Sequence, residues 1–149
     1  MSGAGADSDT IGDLTLALAT RLINEVASAA ASGNDEVAAA VVDAGGHLVA
    51  ALRMDNTPFG AAGAAIDKAR TAVAWNAPTD AWAEVSKPGA NGWGITSLLD
   101  GRMIVLPGGV PLRIAHGLIG ALGVSGALPE HDRLYAIQAL RNSGLTDTF

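Results

Sequence analysis

The sequence contains no cysteine. Disulfides, thiolate catalysis and cysteine-based zinc sites are excluded together. The absence suits a reducing compartment, and a cytoplasmic location is the expectation. Basic residues are few: nine Lys and Arg stand scattered against fifteen Asp and Glu, for a net charge of −6. That balance repels phosphate backbones, so nucleic acid is not an expected partner. No apolar run approaches the roughly 20 residues of a membrane helix. Met1 to Asp13 is small, polar and acidic, without the basic and apolar regions of a signal peptide. Gly-x-Ser-x-Gly, P-loop and dinucleotide fingerprints are missing. Neither the first helix nor the helix around residues 66–72 carries a Glu-x-x-Glu pair, so no metal site is expected.

What is present is an apolar fraction of 49% over 149 residues, much of it alanine. A chain of this size buries roughly 70% of its unfolded surface and can sustain a core without staples. Residues 1–12 read as a flexible tail of Gly, Ser, Asp and Ala, with residues 13–149 as one domain. Leu14, Leu18, Leu22 and Val26 recur every four residues with Ile23 alongside, a helix capped by Asp13 or Thr15 and stopped at Gly33-Asn34. Val37 to Asp43 and His47 to Met54 flank the turn Asp43-Ala44-Gly45-Gly46 and form a hairpin. Thr57-Pro58 opens a second helix, with Thr57 as cap and Phe59, Ala62, Ile66, Ala69 and Val73 as its core stripe. Its remaining surface is nearly bare of bulk and permits close approach of another helix or a second subunit. Pro78 ends it, and Thr79 to Ser86 reads as a short helix. A long loop follows from Lys87 to Gly101, and loops of that length are often functional. Met103 to Leu106, Val110 to Ala115 and Leu118 to Ser125 read as three strands, and Pro129 to Asn142 as a last helix. Strands apolar on both faces and joined by hairpins imply an antiparallel sheet with helices on each side, a three-layer α/β/α sandwich.

Three segments taken in order, VVDAGGHLVAALRMD (41–55), IDKARTA (66–72) and PGGVPLRIAHGLIGALGVSG (107–126), resemble the GlcG/HbpS-like family. The family is also labelled heme-degrading or heme-binding, and its domain forms the C-terminal part of PduO-type proteins. The resemblance runs from about Leu14 to Leu140. It implies a profilin-like sandwich whose five antiparallel strands lie in the order 2-1-5-4-3. It also implies a homo-oligomer, tetramer or octamer, and a ligand such as heme in some members.

Several residues are candidates for a site. His47, just past the hairpin turn, could ligate heme iron or move protons, or simply bond the turn. Arg53 could clamp a carboxylate through its planar fork, or pair with Asp55 or Asp43. Lys68 matches the lysine of the family's KA-x-TA pattern. Set among alanines, it could lose water and act as a base or anion binder, or pair with an acid across an interface. Asp67 and Arg70 are spaced to pair with each other. Gly108 and Gly109 could expose backbone N–H groups to a propionate, or make a plain turn. Trp93, with Trp75 and Trp82, could wall a flat pocket, or merely pack. His116 in a turn and His131 at the start of the last helix read as surface residues.

Two functions follow. The first is a binding protein for heme or a related tetrapyrrole in an oligomer, with Gly108, Gly109, Trp93 and His47 at the ligand. The second is a cofactor-independent lyase, isomerase or hydrolase acting on a small oxo-acid or cyclic catabolite through Lys68, Arg53 and Asp55.

Overall fold

The computed structural model describes residues 13–149; the tail expected at residues 1–12 lies outside them. Helix α1 (Leu16–Ser32) begins at Thr15, whose Oγ1 accepts the Leu18 amide at 3.1 Å. Its four-residue repeat puts Ala19, Leu22, Val26 and Ala30 in the core. Strands β1 (Ala38–Asp43) and β2 (Leu48–Arg53) form the hairpin, and α2 spans Gly60–Trp75. Two short 3-10 turns (Thr79–Trp82 and Ile95–Ser97) and the single turn α3 (Leu98–Gly101) punctuate the long connection. Strands β3 (Gly109–Ile114) and β4 (Gly117–Ser125) and helix α4 (Pro129–Asn142) complete the described chain. No described helix is long and apolar enough to cross a membrane.

The sheet is antiparallel throughout, in the order β2-β1-β4-β3. Successive residues of β1 face opposite layers, as the period of a strand requires. Ala39 and Val41 join α1 and α4, while Ala38, Ala40 and Val42 meet α2. Helices therefore cover both faces, and the bulky core lies on the α1/α4 side. On the other side alanine dominates, and α2 rides directly on the sheet. A Cβ at Gly123 in β4 would stand 2.0 Å from the Ala65 carbonyl oxygen and 2.7 Å from the Ala69 amide. Only glycine permits that approach.

The described sheet has four strands, not the five expected, and Met103–Leu106 is not among them. Two threonine side chains occupy the backbone groups that a ladder would have used. Thr71 Oγ1 accepts the Ile104 amide at 3.1 Å, and Thr79 Oγ1 donates to the Leu106 carbonyl at 2.5 Å. Thr57 also departs from expectation. The residue preceding α2 is Phe59, with no side-chain cap, and Thr57 Oγ1 is buried without a partner among the described residues.

Candidate functional site

Lys68 sits in the middle of α2 and is only 2% exposed. Its Nζ donates to the Val124 carbonyl at 2.9 Å and to Asp132 Oδ2 at 3.1 Å. Asp132, equally buried in the first turn of α4, accepts the Ala127 amide on its other oxygen at 3.0 Å. Burial pushes the Lys68 ammonium down and the Asp132 carboxyl up, and the attraction between the two opposes both shifts. Gly108 lies against this pair at φ 130°, where a Cβ would be 2.9 Å from Lys68 Nζ and 2.4 Å from the Val124 oxygen. The glycine bend and the central helix thus meet, but around a sealed ion pair. The Gly109 amide is already given to Thr79 Oγ1, at 3.1 Å.

Arg53 and Asp55 lie elsewhere. Arg53 stands opposite Ala38, which itself faces Ser125. It is thus at the end of the sheet where Lys68 holds Val124, with two strand spacings, about 10 Å, between Arg53 and Ser125. With Asp55, Glu36 and Met54 it lines an open hollow of 410 Å³. Lys68 lines none of the four described hollows. Trp93 is 67% exposed, whereas Trp75 and Trp82 stack on each other at 5.2 Å, tilted by 55°.

At the tip of the β1–β2 hairpin one carboxylate oxygen organises the turn. Asp43 Oδ1 accepts the Gly45 amide at 2.9 Å, the His47 amide at 3.0 Å and the His47 Nδ1–H at 3.2 Å. The His47 backbone N–H holds the Asp43 carboxyl below its usual range, so it stays an acceptor. A proton on Nδ1 leaves the lone pair of His47 on Nε2. That nitrogen makes no hydrogen bond among the described residues, and the side chain is 81% exposed. A hollow of 420 Å³ opens beside it, with Leu14, Val49 and Ile119 as an apolar wall. Arg70 reaches the same tip, its Nε 3.9 Å from where a Gly46 Cβ would be. The pair expected between Arg70 and Asp67 does not form, and Arg70 has no acidic partner among the described residues.

His116 is an exposed turn residue. His131 is not a bare surface residue: its Nδ1 is 3.2 Å from Asp35 Oδ2, and the Tyr135 hydroxyl donates to that same oxygen. Nothing near His131 in sequence announces this, because Asp35 is 96 positions away.

Residues 14–141 match the family model described as "Haem degrading protein HbpS-like". A 15.0 kDa protein encoded between dhaT and dhaS in Citrobacter freundii is 34% identical over 133 residues, 89% of this chain and 94% of that one. Protein GlcG of Escherichia coli K12 is 36% identical over 112 residues, 75% of this chain and 81% of its own. The chain belongs to the HbpS-like family. Among solved structures, a PduOC:heme complex superposes with a TM-score of 0.87 at 29% identity, covering 92% of this chain and 99% of that one. The resemblance drawn from residues 41–55, 66–72 and 107–126 is therefore that of a true HbpS-like member.

Proposed function

We propose that this HbpS-like chain binds heme or a related tetrapyrrole at the tip of its β1–β2 hairpin, in the cytoplasm and as a homo-oligomer. The observation that carries the reading is the likeness to the PduOC:heme complex over nearly the whole chain. The residues at the tip fit such a group. His47 leaves Nε2 without a partner among the described residues and anchors Nδ1 on a carboxylate, the arrangement common to histidines that ligate metals. Leu14, Val49 and Ile119 offer an apolar face, while Asp13 and Asp43 also line the hollow, so the positive charge for a propionate would come from Arg70 beside it at Gly46. Heme iron, when bound, would supply redox and ligand-binding chemistry. His47 would hold it, and Asp43 would fix the tautomer.

A hollow of 420 Å³ that is open on one side encloses only part of a macrocycle. A second copy closing over it explains why family resemblance implies tetramers or octamers. The outer side of α2 suits such contact, since Phe59 is 85% exposed and nothing approaches the Cβ positions of Gly60 and Gly63. The enzyme reading through Lys68, Arg53 and Asp55 is less well served: Lys68 is closed off and the other two line a different hollow.

Hemin titrated into the protein is expected to give a sharp, saturable Soret shift. Asp43→Asn should weaken binding about 10- to 100-fold by releasing the ring, and His47→Ala should abolish the shift. Sedimentation should show one oligomer larger than a dimer. A shift no sharper than nonspecific adsorption, or one that survives His47→Ala unchanged, removes the reading.

A further inference from the structure

The largest described hollow is a groove of 680 Å³ between α1 and α4, away from the hairpin tip. The two helices run antiparallel. Near one end Asn142 Nδ2 donates to Glu25 Oε2 at 3.0 Å, and at the other Asp35 receives His131 and Tyr135. His131, Leu134, Tyr135, Gln138 and Asn142 follow one another at helical spacing and share the α4 wall. The facing side of α1 is small: Ser28, Ala29, Ser32 and Gly33. Gly33 has to be small, because a Cβ there would stand 2.3 Å from the Tyr135 hydroxyl.

The geometry points to an acid–base site in this groove, where His131 takes and returns the α-proton of a small uncharged carbonyl compound. The Asp35 carboxylate accepts from Nδ1, which leaves the Nε2 lone pair as the base. Tyr135 holds the same carboxylate oxygen, and that hydrogen bond is the main reason its phenol is pushed up to about 12. The hydrogen bond that Tyr135 donates keeps Asp35 in place. When Nε2 takes a proton, Asp35 faces the resulting imidazolium.

In the step, the C–H bond breaks and its proton goes to His131 Nε2. The electron pair forms a C=C bond, and the carbonyl π pair moves to oxygen as an enolate. Ser32 and Gln138 line the same hollow, and neither side chain makes a hydrogen bond among the described residues, so both can donate to that oxygen. Return of the proton from Nε2 to the same carbon re-forms the carbonyl, regenerates the base and needs no co-reactant. The charge pattern selects the substrate class. Glu25 lines the groove and Asp35 flanks its His131 end, while the Arg21 guanidinium at the far end is given to the Asn142 carbonyl and does not line it, so a carboxylate or phosphate beside His131 is repelled.

The test follows hydrogen–deuterium exchange at the α-carbons of hydroxyacetone and dihydroxyacetone by proton NMR, in deuterated buffer near neutral pD. The wild-type protein is expected to accelerate exchange over buffer. His131→Gln and Asp35→Asn should each remove the acceleration by about a hundredfold, while His116→Gln, in an exposed turn, should keep it. Circular dichroism establishes that each variant is folded, and His131→Gln, half-exposed, carries little folding risk. No acceleration by the wild type, or equal acceleration by a folded His131→Gln, overturns the proposal. Hemin binding at His47 is indifferent to either outcome.

Discussion

Lys68 Nζ stands 3.1 Å from Asp132 Oδ2 where β4 ends, joining the helix on one face of the sheet to a helix on the other. Both side chains are almost wholly buried, at 3% and 2% exposure. A pair in that setting gains little over an apolar one, but each charge depends on the other. Lys68→Met should cost about 3–5 kcal/mol, because it strands a buried carboxylate. Adding Asp132→Asn should recover most of that loss, since the asparagine oxygen can still accept the Ala127 amide without a charge to bury. Urea unfolding of the two variants measures the difference. If the double variant is as unstable as the single, the ion pair is not what ties these elements.

Thr79 makes a different kind of join. Its hydroxyl donates to the Leu106 carbonyl and accepts the Gly109 amide, so it closes the chain just before β3. Thr79→Val keeps the shape and removes both bonds, leaving two backbone groups unpaired. The expected cost is about 1–3 kcal/mol for each group that stays dry. Amide exchange at Gly109 should accelerate ahead of β4 exchange. Protection at Gly109 equal to that of the wild type would mean that the hydroxyl holds nothing there.

The same threonines explain which parts of this structure could be read from the sequence. The α1 repeat, the Asp43–Gly46 turn and the Pro129 helix start carry their causes within a few residues, and each appears where its residues place it. Met103–Leu106 has the local pattern of a strand as well, but pairing is decided by which donors and acceptors arrive. Here Thr71 and Thr79, from 33 and 27 positions away, take the Ile104 amide and the Leu106 carbonyl. The site shows the same limit. Lys68 and the Gly108 bend could be grouped through their shared motif order. Asp132, which accepts a hydrogen bond from Lys68 64 positions away, has no local sign, and neither does Asp35 beside His131. Arg53 and Asp55 close β2 and Lys68 sits mid-helix, so no local pattern sets their separation; the sheet register does, placing β1 between Arg53 and the end of β4 where Lys68 is held.

Tyr135 offers a pH test of the α1–α4 groove that needs no ligand. Its phenol is pushed from 10.0 to about 12, chiefly by the hydrogen bond it gives to Asp35 and then by burial. The folded protein therefore keeps this proton between those values while the unfolded chain loses it. Where the folded state binds more protons, stability falls as pH rises. The Tyr135 contribution is whole below pH 10, declines above it, and is gone once the folded phenol ionises near 12. Tyr135→Phe removes the titrating group. Its unfolding free energy should be lower than that of the wild type at pH 8, with the gap narrowing as pH climbs toward 12. Chemical denaturation at a series of pH values reads that gap directly. A gap that stays constant across the range would mean that Asp35 does not hold the phenol proton, and the orientation of His131 would need another support.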